Sequence, residues 1–133
     1  MEYRNGRHVF TSMRVNLVFV TKCRRGVLDV DAHERLRAAF DKVASDFNAR
    51  LLECDGEDDH VHLLIEYPPV VAVSKLVNSL KGVGSRLLLR DREDLRRFSR
   101  KGFWSPSYFA ASCGGAPIKT IKSYVRNQRT PTK

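Results

Sequence analysis

Asp59-His60-Val61-His62-Leu63-Leu64-Ile65-Glu66-Tyr67, closed by Pro68-Pro69, is the stretch from which the fold is read. Polar and apolar residues alternate along it, as on a half-buried strand, until the prolines end the pairing. Side chains two apart on a strand share a face, about 6.5 Å apart along the chain. His60 and His62 therefore stand together, while Val61 and Leu63 point into the core.

The neighbours extend this strand into a pattern. Asp55-Gly56-Glu57-Asp58 reads as a turn, and Arg50 to Glu53 starts the strand before it. Further upstream, Leu36, Ala39, Phe40, Val43 and Phe47 recur at three and four residues, which predicts a helix over 29–48 capped by Asp29 or Asp31. Met13 to Thr21 is β-branched and aromatic and reads as a strand. Downstream, Leu76, Leu80, Val83 and Leu87 share a face of a helix over 71–89, and 91–102 reads as a charged loop. Ser107 to Ser112 reads as a fourth strand and Gly114-Gly115-Ala116 as a break. A third helix over 117–128 follows, with Pro117 in the favoured first position. The order β-α-β-β-α-β-α is α+β. Its first six elements match the ferredoxin-like, RRM-like split βαβ arrangement, a four-stranded antiparallel sheet with two helices on one face. The other face is left for a ligand, a partner or the last helix.

Composition narrows the function. The chain has 133 residues, read as one domain over 1–133, and 42% hydrophobic residues suffice for a modest core. Lys plus Arg is 24 against 15 for Asp plus Glu, a net +9 that suits a polyanionic partner, nucleic acid or a membrane surface. The N-terminus lacks the apolar stretch of a signal peptide. The longest apolar runs, such as Val15 to Val20, are far short of the about 20 residues a spanning helix needs. Cys23, Cys54 and Cys113 form no Cys-x-x-Cys pair, so neither a zinc ribbon nor a disulfide framework is expected, and the chain reads as reduced and cytoplasmic. Between Glu53 and Glu66 six carboxylates occur with no Lys or Arg, inside an otherwise basic chain. Such an island suits a cation site within a phosphate-binding surface, or simply a solvated acidic turn.

Two constellations carry chemistry. His60 and His62 can converge on one metal ion, with Asp58 or Asp59 orienting an imidazole; the plain alternative is two histidines on a half-buried strand. Tyr124 and Gln128, four apart on the last helix, share a face. A tyrosine hydroxyl can attack a phosphodiester, although its free pKa of about 10 leaves phenolate scarce at pH 7 by about 4 kcal/mol. A divalent metal on the phosphate offsets this, and the Gln128 amide oxygen can be its third protein ligand. The plain alternative is a surface tyrosine and glutamine on an amphipathic helix. Gly82-Val83-Gly84-Ser85 lacks the spacing and lysine of a nucleotide-binding loop. Cys23 and Cys113 are read as packing residues.

Together these segments resemble the HUH-superfamily single-tyrosine (TnpA-like) transposases of small bacterial insertion sequences that move as single-stranded DNA. Gly56 to Pro69 resembles the motif strand, Leu17 to Lys22 the first strand, and Asn78 to Arg86 the second helix. Phe103 to Phe109 resembles the approach to the fourth strand, and Lys122 to Gln128 the catalytic helix. The resemblance implies that His60, His62 and Gln128 bind Mg²⁺ or Mn²⁺, although imidazoles would suit zinc too. It implies that Tyr124 forms a covalent 5′-phosphotyrosine at hairpin-marked ends, without a nucleotide cofactor. It also implies a homodimer with sites shared between subunits, acting at the bacterial nucleoid and not at a membrane. The chain departs from the family in carrying Asn16 where His is frequent and Cys23 where an aromatic is frequent. Lys22, Arg24, Arg25, Lys81, Arg86, Lys119 and Lys122 are candidate DNA contacts, and Tyr108 a candidate base-stacking residue, with Trp104 and Phe109 expected in the core. Alternatives are a domesticated repeat-hairpin nuclease of the same superfamily, a non-enzymatic metal-binding dimer, and a non-catalytic RRM-like nucleic-acid-binding module. The last would carry an RNP-type aromatic pattern, which the sequence lacks.

Overall fold

A computed structural model describes residues 5–6, 9–10, 12–112 and 124–128. The elements are β1 (Asn5–Gly6), β2 (Val9–Phe10), β3 (Met13–Val20), α1 (Val30–Asp46), β4 (Arg50–Glu57), β5 (His60–Tyr67), α2 (Val73–Asp91) and β6 (Phe109–Ser112). The two-residue β1–β2 ladder had no signal in the sequence.

The main sheet has the order β4-β5-β3-β6, each neighbour antiparallel. β3 and β4 thus run parallel with β5 between them, the split βαβ expected from the sequence. Alternation sorts the faces: Val15, Leu17, Phe19, Val61, Leu63 and Ile65 are buried beneath α1 and α2. Phe19 anchors this layer, meeting Phe40 edge-on at 6.0 Å and Trp104 at 5.8 Å. Such contacts are worth about 0.5–1.5 kcal/mol each beyond area burial. Gly84 lets the helices approach, because a Cβ there would lie 2.7 Å from Phe40 Cε1. Gly84 thus serves helix packing, while Gly82 faces open space.

Helix α1 starts where expected: the Asp29 carboxylate accepts the Ala32 N–H at 2.8 Å as its N-cap. Past its end Asn48 takes φ 58°, a left-handed conformation that asparagine tolerates. Several boundaries shift. β4 continues to Glu57, so the turn contracts to Asp58-Asp59. Gly56 makes this tight hairpin feasible, since a Cβ there would collide with the His60 carbonyl oxygen. The fourth strand starts at Phe109 rather than Ser107, because the Ser105 and Ser107 carbonyls accept from Lys81 instead of from a neighbouring strand. The charged loop contains a 3₁₀ turn, Glu93–Phe98, pinned by buried Leu95. Of the third helix expected over 117–128, residues 124–128 are described, and there the Asn127 and Gln128 N–H groups donate to the Tyr124 and Val125 carbonyls. The Gly114-Gly115-Ala116 break and Cys113 lie outside the described residues. No helix among the described residues is long and apolar enough to cross a membrane.

Candidate active site

His60 and His62 project from the sheet face opposite the helices, beside the end of β3. The hairpin braces them. The His60 Nδ1 lies 2.9 Å from Asp59 Oδ1, and the other Asp59 oxygen accepts the Arg24 Nε–H at 3.2 Å. The Asp59 carbonyl accepts both the Thr21 N–H and its hydroxyl. His62 Nε2 lies 2.9 Å from Asn16 Oδ1, and its Nδ1 lies 3.4 Å from Asp55 Oδ1. Glu53, Asp55 and His62 can bring one ligand atom each within 4.8 Å of one another, both acids being exposed. With Nδ1 turned to a carboxylate, His60 keeps Nε2 for a ligand. Two imidazoles on one face are donors of the kind a divalent ion takes, although His62 would first have to release Asn16 or Asp55 to offer a nitrogen. Of the two acids expected to orient an imidazole, Asp59 does so. Asp58 instead accepts the Leu28 N–H with its carbonyl.

Tyr124 and Gln128 meet a second cluster. The Tyr124 hydroxyl is 2.9 Å from Ser107 Oγ, and its ring tilts against Phe109 at 5.7 Å. Gln128 Oε1 accepts the Ser105 hydroxyl at 3.0 Å and the Ser107 hydroxyl at 3.4 Å, while its Nε2 donates to the Tyr124 carbonyl. Burial pushes the Tyr124 phenol above its ordinary pKa, and the Ser107 hydrogen bond pulls the other way. The pocket alone therefore does not activate the phenol. An open cleft of about 210 Å³ lies beside this cluster, lined in part by Thr21, Lys22, Ser105 and Gln128.

β3 lies between the two clusters. The Ser105 N–H donates to the Val20 carbonyl at 2.7 Å, and Val20 pairs with His60. Phe109, Val18 and His62 likewise form a row across three strands. The Ser105 and His60 backbones are thus two strand spacings apart, about 10 Å. Among the described residues no hydrogen bond joins the histidine pair to Tyr124 or Gln128.

The candidate DNA contacts divide. Arg86 is exposed and Lys22 lines the cleft. Arg24 is paired with Asp59, Arg25 stacks over Phe98 at 5.7 Å, and the Lys81 ammonium reaches two backbone carbonyls. Lys119 and Lys122 lie outside the described residues. Trp104 is buried as expected, but Phe109 lies on the outer face against Tyr124. Cys23, expected to pack, lines the cleft in a left-handed conformation at φ 58°. Cys54 packs against the core, where burial pushes its thiol up to about 11. Sequence reasoning missed Asn16, Asp55, Ser105 and Ser107. Asp55 was findable once β4 was extended, since it then pairs with His62.

Comparison with known proteins places this geometry. The model of the family "Transposase IS200 like" matches residues 9–128. The chain is 29% identical over 122 residues to the transposase for insertion sequence element IS200 of Salmonella typhimurium, covering 91% of this chain and 80% of that one. It is 25% identical over 129 residues to the ISDra2 transposase TnpA of Deinococcus radiodurans, covering 96% and 92%. In fold it resembles a Deinococcus radiodurans chain described as a transposase, with TM-score 0.88 at 24% identity over 96% of this chain and 99% of that one. It also resembles a REP-associated tyrosine transposase solved bound to a REP hairpin, with TM-score 0.57 at 17% identity over 94% and 68%. With a family match that spans both the histidine strand and the tyrosine turn, the chain belongs to the IS200-like transposases.

Proposed function

We propose that this transposase cuts and rejoins single-stranded DNA at hairpin-marked element ends, with Tyr124 as the nucleophile. The carrying observation is the placement of Tyr124 and Gln128 on the Ser105–Ser107 segment, with β3 between it and the braced His60. The phenol oxygen bonds to the scissile phosphorus and the bond to the 3′ oxygen breaks, leaving a 5′-phosphotyrosine and a free 3′-hydroxyl. A second 3′-hydroxyl then attacks that linkage, and the phenol regains a proton. The tyrosyl ester keeps the bond energy, so no nucleotide is consumed. His60, His62 and Gln128 are the residues to hold Mg²⁺ or Mn²⁺, which when bound would polarise the phosphate and stabilise the leaving oxygen. Asp59 fixes the His60 ring, and Arg24 fixes Asp59. Lys22 and Arg86 are the candidates for phosphate contact that remain outward-facing.

We read residues 1–133 as one domain, acting in the cytoplasm as a homodimer with each tyrosine segment serving the partner's histidines. The hairpin-bound structural neighbour supports a DNA partner. The test incubates the protein with hairpin-bearing single strands and Mg²⁺ or Mn²⁺ and looks for a covalent adduct. Loss of the adduct in Tyr124→Phe is expected. An adduct that survives that substitution sinks the nucleophile assignment, and equal activity on duplex sinks the single-strand reading. Mixing Tyr124→Phe with His60→Ala subunits tests sharing, because one intact composite site is then restored.

A further inference from the structure

A lysine beneath the Tyr124 hydroxyl's partner segment is held on several sides. Lys81 lies on α2, half-buried, and its ammonium donates to the Ser105 carbonyl at 2.8 Å and the Ser107 carbonyl at 3.4 Å. The same ammonium stands 5.9 Å from the ring centres of Phe19 and Tyr108. The Lys81 carbonyl in turn accepts the Trp104 indole N–H at 3.1 Å. One residue therefore grips residues 104, 105 and 107, a stretch that among the described residues has no strand partner beyond the Thr21–Trp104 bridge and the Ser105–Val20 bond. On that stretch stand the two hydroxyls that meet Tyr124 and Gln128. A phosphate contact would need the ammonium in solvent, whereas here two carbonyls and two aromatic faces already surround it.

We propose that Lys81 is a positioning residue for strand cleavage: it holds the Ser105–Ser107 shelf on which the Ser107 hydroxyl orients the Tyr124 phenol. The inference rests on Tyr124 being the nucleophile. The shelf belongs to one chain, so it serves whichever subunit's tyrosine segment is seated on it. The serines do the touching and the lysine sets where they stand. A loosened shelf leaves DNA affinity alone but misplaces the phenol. Misplacement by about an ångström costs up to about 100-fold in rate.

Lys81→Met keeps the stem and removes the ammonium; Ser107→Ala removes an exposed hydroxyl and leaves the core untouched. Three quantities are measured on the full chain. These are the adduct rate at saturating hairpin DNA, the DNA affinity against salt, and the ¹³Cζ resonance of Tyr124, assigned by its loss in Tyr124→Phe. Both variants are expected to slow adduct formation about 10- to 100-fold and to shift the Tyr124 resonance, with affinity and salt slope unchanged. Ser107→Thr, which keeps the hydroxyl, is expected to restore the rate. A phosphate contact at Lys81 predicts the reverse: affinity falls, the salt slope drops by about 1, and the saturated rate and resonance stay put. That outcome overturns the proposal, as does a Ser107→Ala enzyme with unchanged rate and resonance, even if Lys81→Met fails to fold. An adduct persisting in Tyr124→Phe removes the nucleophile reading instead. An adduct lost there but unaffected in Ser107→Ala removes only the role of the shelf.

Discussion

The histidine hairpin and the tyrosine turn are held in different ways. β5 lies inside the sheet, paired on both sides, with Val61, Leu63 and Ile65 buried between its outward-facing side chains. His60 and His62 inherit their positions from a packed core. Among the described residues, the tyrosine turn meets the sheet through serine hydroxyls and a tilted ring contact. Net hydrogen bonds of that sort contribute about 0.5–1.5 kcal/mol each. The histidine half is therefore built into the core, whereas the described contacts of the tyrosine turn are mainly polar and lie on the outer face of the sheet. Substitutions that break the two halves should differ in kind.

The largest effects are expected at Tyr124 and the two histidines. Tyr124→Phe is expected to abolish adduct formation while leaving the thermal midpoint nearly unchanged, because among the described residues the lost hydroxyl touches one exposed serine. His60→Ala and His62→Ala should also stop cleavage, but with loss of Mn²⁺ binding in a titration. If Tyr124→Phe abolished metal binding as well, the two halves would not be separable in this way.

Gly56→Ala tests the rigidity of the histidine half. Its Cβ would meet the His60 carbonyl, which is backbone and cannot swing aside. Expected is a loss of about 1–3 kcal/mol in stability, the range for an overpacked site, together with weaker Mn²⁺ binding. A variant as stable as the parent would show that the hairpin yields more easily than its packing implies. Next in size is Asp59→Asn. Its carboxylate braces His60 and takes the Arg24 guanidinium. Losing such a brace typically lowers metal affinity 10- to 100-fold, and calorimetry with Mn²⁺ measures it.

The same contrast explains what the sequence disclosed. The sheet, both helices and the histidine face were legible because core periodicity is a local, repeated signal. Val61 and Leu63 had to be buried if His60 and His62 were to share the other face. Asp55 was obscured because Asp-Gly-Glu-Asp has turn composition, while the tight approach at Gly56 that carries the strand through it is a three-dimensional fact. Asn16 against His62 depends on register between strands 46 residues apart. Lys81 read as one more basic residue on a helix. Its depth and its bonds to the Ser105 and Ser107 carbonyls distinguish it from Arg86, and neither leaves a trace in composition.

The smallest expected effect lies away from both halves, where α1 begins. Hydrogen bonds from Arg92 and then from the Ala32 N–H hold the Asp29 carboxyl down at about 2, against an ordinary value of 3.8. Because the folded value is the lower one, the contribution is fully present above pH 4 and disappears as pH falls through about 2. Asp29 is exposed, so solvent screens much of the pairing with Arg92, and the cap itself should dominate at about 1 kcal/mol. Denaturant unfolding of the parent and of Asp29→Ala should therefore differ by a constant amount from pH 7 down to 4, and the gap should close towards pH 2. Asp29→Asn separates the two contributions, since an asparagine can still cap but has no charge to lose: its stability should lie between the others at pH 7 and match or exceed the parent near pH 2. A gap that stays constant through pH 2 would mean that Arg92 finds equal partners in Asp31 and Asp94, both of which it already contacts at 2.9 Å.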